Sequence, residues 1–153
     1  MKVLMVCLGN ICRSPLAEGI LKDKAQKAGL NWQVESRGTG GWHAGNLPDH
    51  RSIEIAKERG LDITDQRSQK LTTKDLADFD LIFAMDKANY RDIIAKSDNP
   101  ALEQKVFLIL NEANPESDRS VPDPYYGGEN GFSEVYDMID KACEALVQKH
   151  LQK

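Results

Sequence analysis

Cysteine is scarce in this chain of 153 residues, and an odd total of three makes no disulfide framework. Histidine is equally scarce. Three residues, with no His-Glu-x-x-His and no paired ligand spacing, lead us to expect no metal site, and no cofactor is expected either. No apolar run approaches the ~20 residues a membrane-spanning helix needs. The longest, "VLMVCL" and "VFLIL", are strand-sized. The apolar stretch at the N-terminus also falls short of a secretory signal core of about 7–15 residues. A cytoplasmic location without membrane partners is therefore the expectation. Basic residues are not in excess: 20 Lys and Arg face 24 Asp and Glu, a net charge of −4. That argues against a nucleic-acid partner, which needs clustered positive charge. An anionic ligand must then be drawn in by a local site against a slightly repulsive overall field. The nucleotide pattern G-x-x-x-x-G-K-[ST], the dinucleotide pattern G-x-G-x-x-G and a redox C-x-x-C are all missing. No internal repeat or low-complexity tract is present.

What is there reads as one α/β domain spanning residues 1–153, with 41% hydrophobic and 29% charged residues. Strands are expected at about Lys2–Leu8 and Trp32–Arg37, across "FDLIFAM" and across "KVFLIL". The third is an unbroken apolar run of the kind covered on both faces. Helices are expected from Pro15 to about Ala28, near Asp49–Arg59, around Lys87–Lys96 and over the C-terminal stretch. In the last, Phe132, Val135, Tyr136, Ile139, Ala142, Cys143, Leu146 and Val147 recur at helical spacing. Ser14 and Ser133 read as N-caps, Pro15 as a first helical residue, and Gly29 and Gly60 as stops. Alternating strands and helices predict a mostly parallel sheet with helices on both faces.

In such a sheet ligands bind beyond the carboxyl ends of the strands. The segment "CLGNICRSP", Cys7 to Pro15, lies there, after the first strand and before a helix. A turn this short can aim several backbone N–H groups inward as an anion nest, and the helix N-terminus adds partial positive charge. Gly9 and Asn10 are the residues expected to tolerate its unusual backbone angles. Arg13, spaced Cys-x5-Arg from Cys7, can grip two oxygens of a tetrahedral anion with its planar fork. Cys7 in that field is expected to lose its proton, with the Ser14 hydroxyl as a further donor to sulfur. A phosphoryl-cysteine mechanism also needs an acid for the leaving oxygen. Asp123, between two prolines in "VPDPYYGG", is the candidate, with Tyr125 and Tyr126 as walls for an aromatic leaving group.

"VCLGNICRSP" together with "DPYYG" resembles the low-molecular-weight protein tyrosine phosphatases, over essentially the whole chain. The resemblance implies a four-stranded parallel sheet with helices on both faces and a phosphate-binding loop after the first strand. It implies Cys7 as nucleophile, Arg13 as clamp and Asp123 as acid. Leu8, Gly9, Asn10, Ile11, Cys12 and Ser14 would form the loop, and Trp42 and His43 of "GWHAG" would flank the substrate ring. Relatives can join the two loop cysteines, here Cys7 and Cys12, in a reversible disulfide, which makes the enzyme redox-sensitive. A buried polar network around the loop asparagine would match Asn10, Ser14 and Ser36. Where many members carry a supporting histidine, this chain has Gln66 in "DQRSQKL". The implied partners are phosphotyrosine proteins or peptides, with phosphate as product, acted on by a monomer or weak dimer.

Two rival chemistries and a non-catalytic reading are weighed against this one. Thiol-relay arsenate reduction needs further cysteines near the end of the third strand, and Phe83 to Tyr90 contains none. Phosphoarginine hydrolases of similar sequence tend to carry threonine where this loop has Ile11, whose apolar side chain suits an aromatic ring. A passive phosphate-binding module would not need Cys7 or Asp123, and both are present.

Overall fold

The computed structural model describes residues 1–97, 99–124, 128 and 130–152. Four strands, β1 (Lys2–Cys7), β2 (Gln33–Gly38), β3 (Leu81–Ala84) and β4 (Val106–Leu108), form one sheet in the order β2-β1-β3-β4. Every pairing is parallel. Among the described residues five α-helices surround it: α1 (Arg13–Lys27), α2 (His50–Glu58), α3 (Thr73–Asp78), α4 (Lys87–Lys96) and α5 (Gly131–Leu151). No described helix is long and apolar enough to cross a membrane.

The sheet is buried on both faces, as the unbroken apolar runs require. Val3, Met5, Cys7, Phe83 and Met85 pack with α1, α2 and α5, while Leu4, Val6, Ile82 and Ala84 pack with α3 and α4. α5 supplies the longest apolar stripe, from Phe132 to Val147, and lies against α1. Burying a side chain such as Ile139 or Leu146 contributes about 1.5–3 kcal/mol.

Three boundaries and one added helix differ from expectation, each for a local reason. α1 starts at Arg13, with Cys12 as an N-cap that makes no side-chain cap bond. Ser14 is therefore inside the first turn, and its hydroxyl is spent on Cys7 instead. Pro15 is still tolerated, because the first-turn N–H groups have no partner within the helix. α5 starts at Gly131 after Asn130, and the Ser133 hydroxyl accepts from Arg59 instead of capping. β4 stops at Leu108, opposite the end of β3 at Ala84, and Ile109–Glu112 tightens into a 3-10 turn. α3 was not expected. It contributes one buried residue, Leu76, and is secured by a reciprocal cap in which Thr72 and Asp75 bond each other's backbone N–H groups.

Strand order reverses between β1 and β3, so a crevice opens beyond their carboxyl ends. Cys7 ends β1, and Asp86 follows β3.

Candidate active site

The turn from β1 into α1 is held open from outside. Thr39 N–H donates to the Cys7 carbonyl at 2.9 Å, Gly40 N–H to Leu8 at 2.8 Å, and Asp49 N–H to Ile11 at 2.7 Å. The hydroxyls of Ser68 and Ser52 donate to the carbonyls of Gly9 and Cys12 at 3.0 and 3.3 Å. In a planar trans peptide the carbonyl and the following N–H point in opposite directions. Drawing these carbonyls outward therefore turns the amides of Leu8, Gly9, Asn10, Cys12 and Arg13 inward, as an anion nest requires. The Asn10 amide reaches Cys7 Sγ at 3.3 Å. Asn10 has φ +57°, a left-handed angle that asparagine tolerates. Gly9 does not share that angle. It serves space instead: a Cβ there would stand 3.1 Å from the His43 ring.

Behind the turn, buried side chains brace the sulfur. Ser14 Oγ lies 3.0 Å from Cys7 Sγ, and Asn10 Nδ2 donates to Ser14 Oγ at 2.8 Å and to Ser36 Oγ at 2.9 Å. Gln69 N–H donates to Asn10 Oδ1 at 2.9 Å, which fixes the orientation of that amide. Gln66 does not join this network. Its Nε2 donates to the Pro15 carbonyl at 3.0 Å, and its Oε1 is buried without a partner among the described residues.

Arg13 is buried, and Nη1 donates to Asp86 Oδ2 at 2.6 Å and to the Val121 carbonyl at 3.0 Å. Those bonds use both Nη1 hydrogens and leave the three N–H groups on Nε and Nη2 for an anion. Asp86 also caps α4, its Oδ1 accepting from Asn89 N–H at 2.7 Å. Sequence reasoning passed over Asp86. The only signal was an aspartate in the N-cap position before Lys87. Val121 N–H in turn donates to the Met85 carbonyl at 2.7 Å, so the segment carrying Asp123 is pinned to the end of β3 and to Arg13. It is also pressed against α5, where a Cβ on Gly131 would stand 3.0 Å from the Pro124 carbonyl.

Cys7, Leu8, Gly9, Ile11, Cys12, Arg13, Trp42, His43 and Asp123 meet around an open cleft of about 410 Å³. The buried side chains of Asn10 and Ser14 hold the loop from behind, while the Asn10 amide faces Cys7. Trp42 is 73% exposed at the rim and folds back over Gly40, where no Cβ would fit. Tyr125 and Tyr126 lie outside the described residues. Burial, with the nearby charges of Asp49, Cys7 and Asp123, pushes the Cys12 thiol up to about 12. A larger hollow of about 680 Å³ between α1 and the β2 edge, near Trp32, gathers no cysteine or arginine.

An α/β sheet whose first strand ends in a cysteine cradled by inward amides, with a buried arginine beside it, defines an enzyme class built to act on a tetrahedral oxyanion. The family profile described as low molecular weight phosphotyrosine protein phosphatase matches residues 2–153, and the chain belongs to that family. A low molecular weight phosphotyrosine protein phosphatase of Schizosaccharomyces pombe is 45% identical over 138 residues, covering 88% of this chain and 87% of its own. Among solved structures, a protein tyrosine phosphatase from Entamoeba histolytica with Hepes in the active site superposes with TM-score 0.92 at 39% identity, covering 99% of this chain and 97% of that one. A Drosophila arginine phosphatase superposes with TM-score 0.89 at 36% identity, covering 98% of each chain.

Proposed function

We propose that this chain hydrolyses phosphotyrosine monoesters and small aryl phosphates through a phosphocysteine intermediate. The Cys7 thiolate attacks phosphorus in line. An S–P bond forms as the P–O bond to the phenol breaks, and Asp123 gives its proton to the departing oxygen. The inward amides and the Arg13 fork stabilise charge on the three equatorial oxygens. Asp123, now a carboxylate, takes a proton from water as the water oxygen attacks phosphorus. The S–P bond breaks, the thiolate is restored and phosphate leaves. One observation carries this reading: Cys7 Sγ sits within a turn whose carbonyls are tied outward, beside an arginine whose Nη1 is already anchored.

The substrate ring would pack between Ile11, Trp42 and His43, all at the cleft. Phosphoarginine hydrolysis is the second reading, favoured by the likeness to the Drosophila arginine phosphatase. The guanidino group is planar and can stack on Trp42 as a phenol ring can, but the apolar Ile11 side chain leaves its N–H groups without acceptors. Matched phosphotyrosine, phosphoserine and phosphoarginine peptides decide between them. Turnover confined to phosphotyrosine supports the aryl reading, preference for phosphoarginine replaces it, and equal rates remove the role of the walls.

A further inference from the structure

The outer edge of β4 takes no part in the chemistry above. β4 ends the sheet order, and among the described residues no strand or bridge pairs with its far side. Beside that edge lies a hollow of about 470 Å³, lined by α4, by β4 and by the segment that follows β4. Phe107 lines it. Its ring meets that of Phe83 at 6.0 Å between centroids, yet the residue stays 38% exposed. Lys87 and Arg91 reach the same hollow from α4, four positions apart and so on one helix face. Both are exposed, and neither has an ion-pair partner among the described residues. Their placement works against the helix. Like charges at this spacing repel, a cation near a helix N-terminus opposes the dipole, and the first turn of α4 holds no acid. Among the described residues of the lining, Asp118 is the one carboxylate, and it is engaged. Asn111 Nδ2 donates to its Oδ1 at 3.0 Å, and its own N–H donates to Asn111 Oδ1 at 2.8 Å.

We propose that the β4 edge is a docking site for an acidic, extended segment of a partner protein, which adds to the sheet beside β4. Backbone hydrogen bonds to the open edge supply the attachment, and alternate side chains of the segment reach the hollow. Its carboxylates pair with Lys87 and Arg91, and its apolar residues cover Phe107 and Tyr90. Charge selects this occupant. A second copy of the chain, joined edge to edge, would bring Lys87 and Arg91 of both molecules to one seam, where they repel. Nucleic acid needs a broader basic surface than two residues on a chain of net charge −4. The inference concerns a surface apart from the Cys7 cleft and does not depend on which substrate is hydrolysed there.

The test is an NMR titration of the isotope-labelled full chain, with inorganic phosphate in excess to fill the Cys7 loop. The probe is a short peptide of alternating glutamate and valine, and its lysine–valine counterpart is the control. The glutamate peptide is expected to give saturable amide shifts centred on Lys87, Arg91 and Phe107, with slowed hydrogen exchange at the outward amides of β4. The lysine peptide should give neither. Lys87→Gln with Arg91→Gln should weaken the glutamate peptide about fivefold, the loss of two exposed ion pairs. That variant should melt no lower than the wild type, because α4 loses two opposed charges. Lys87→Glu with Arg91→Glu should weaken the peptide by about tenfold or more and create affinity for the lysine peptide. No saturable shift, shifts centred on the Cys7 loop, or equal binding of both peptides overturns the proposal. Binding that leaves exchange in β4 unchanged does the same, since it removes the added strand. A clear thermal loss in the neutral variant would give the two cations a structural role instead. Self-association of that variant, with no peptide bound by the wild type, would make them guards against edge pairing and is equally fatal. Because the peptides carry no phosphate and the readout needs no turnover, failure of the phosphotyrosine reading would leave this result standing, and the reverse also holds.

Discussion

Asp123 is exposed at the cleft between Pro122 and Pro124, so a substitution there tests chemistry more than folding. In Asp123→Asn the prolines still fix the backbone and the amide is nearly isosteric. A general acid contributes about 10²–10⁴-fold, and a poor phenol leaving group needs the proton most. Hydrolysis of phosphotyrosine should therefore fall much further than that of an aryl phosphate with a strongly acidic phenol, measured as kcat/KM across pH with burst kinetics. Equal small losses would return Asp123 to a structural role. Cys12 makes a second prediction. Peroxide would convert the Cys7 thiolate to a sulfenic acid, and Cys12 would displace hydroxide as water to close a disulfide. With its thiol held up at about 12, Cys12 is almost wholly protonated at neutral pH. Its thiolate fraction, and with it the closure rate, should rise about tenfold per pH unit between 7 and 9. Quenched mass spectrometry of the peroxide-treated protein measures that slope, and a flat profile or no Cys7–Cys12 linkage rejects the pairing.

Asp86 acts at the joint between elements, capping α4 with one oxygen and holding Arg13 with the other. In Asp86→Asn the side-chain carbonyl can keep the cap, while an NH2 group then faces another donor on Arg13. Hydrogen bonds to charged groups are worth about 1.5–3 kcal/mol, so kcat should fall by about 10- to 100-fold. The melting temperature should move by only a few degrees, as far as the cap survives. A large thermal loss with normal kcat would make Asp86 a cap and nothing more. The same joint shows what sequence could reveal. Cys7 and Arg13 were legible because one short string holds both, and the α5 stripe because eight apolar residues keep its period. Asp86 was not, since an N-cap aspartate is ordinary and its partner lies 73 positions away. Glu18 with Lys22 reads as a surface pair at i, i+4, and only the approach of Ser36 across 18 positions makes it a buried one. α3 offered a single buried apolar residue, too few for periodicity, although its Thr-x-x-Asp cap was visible in hindsight. β4 was overextended because an apolar run does not say where its neighbour ends.

At the scale of the whole molecule, membership of the low molecular weight phosphatase family accords with the sheet order and the position of the loop. The outward ties on the loop have a consequence for how activity arises in time. Cys12 is held by Ser52, 40 positions away, Gly9 by Ser68 at 59, and Arg13 by Val121 at 108. Contacts this distant in sequence form late, after loop-closure entropy has been met, and parallel sheets are slow for the same reason. The contiguous string Cys7 to Arg13 is therefore inert until nearly all of the chain has assembled around it. On dilution from denaturant, helical circular dichroism should recover first. Turnover of a chromogenic aryl phosphate should return only with the last tertiary phase, followed by stopped flow. Activity recovering in step with the earliest helix signal would show that the string folds its own nest. Otherwise the reactive thiol is the last part of the molecule to come alive on refolding, and on unfolding it is the first to lose its anion.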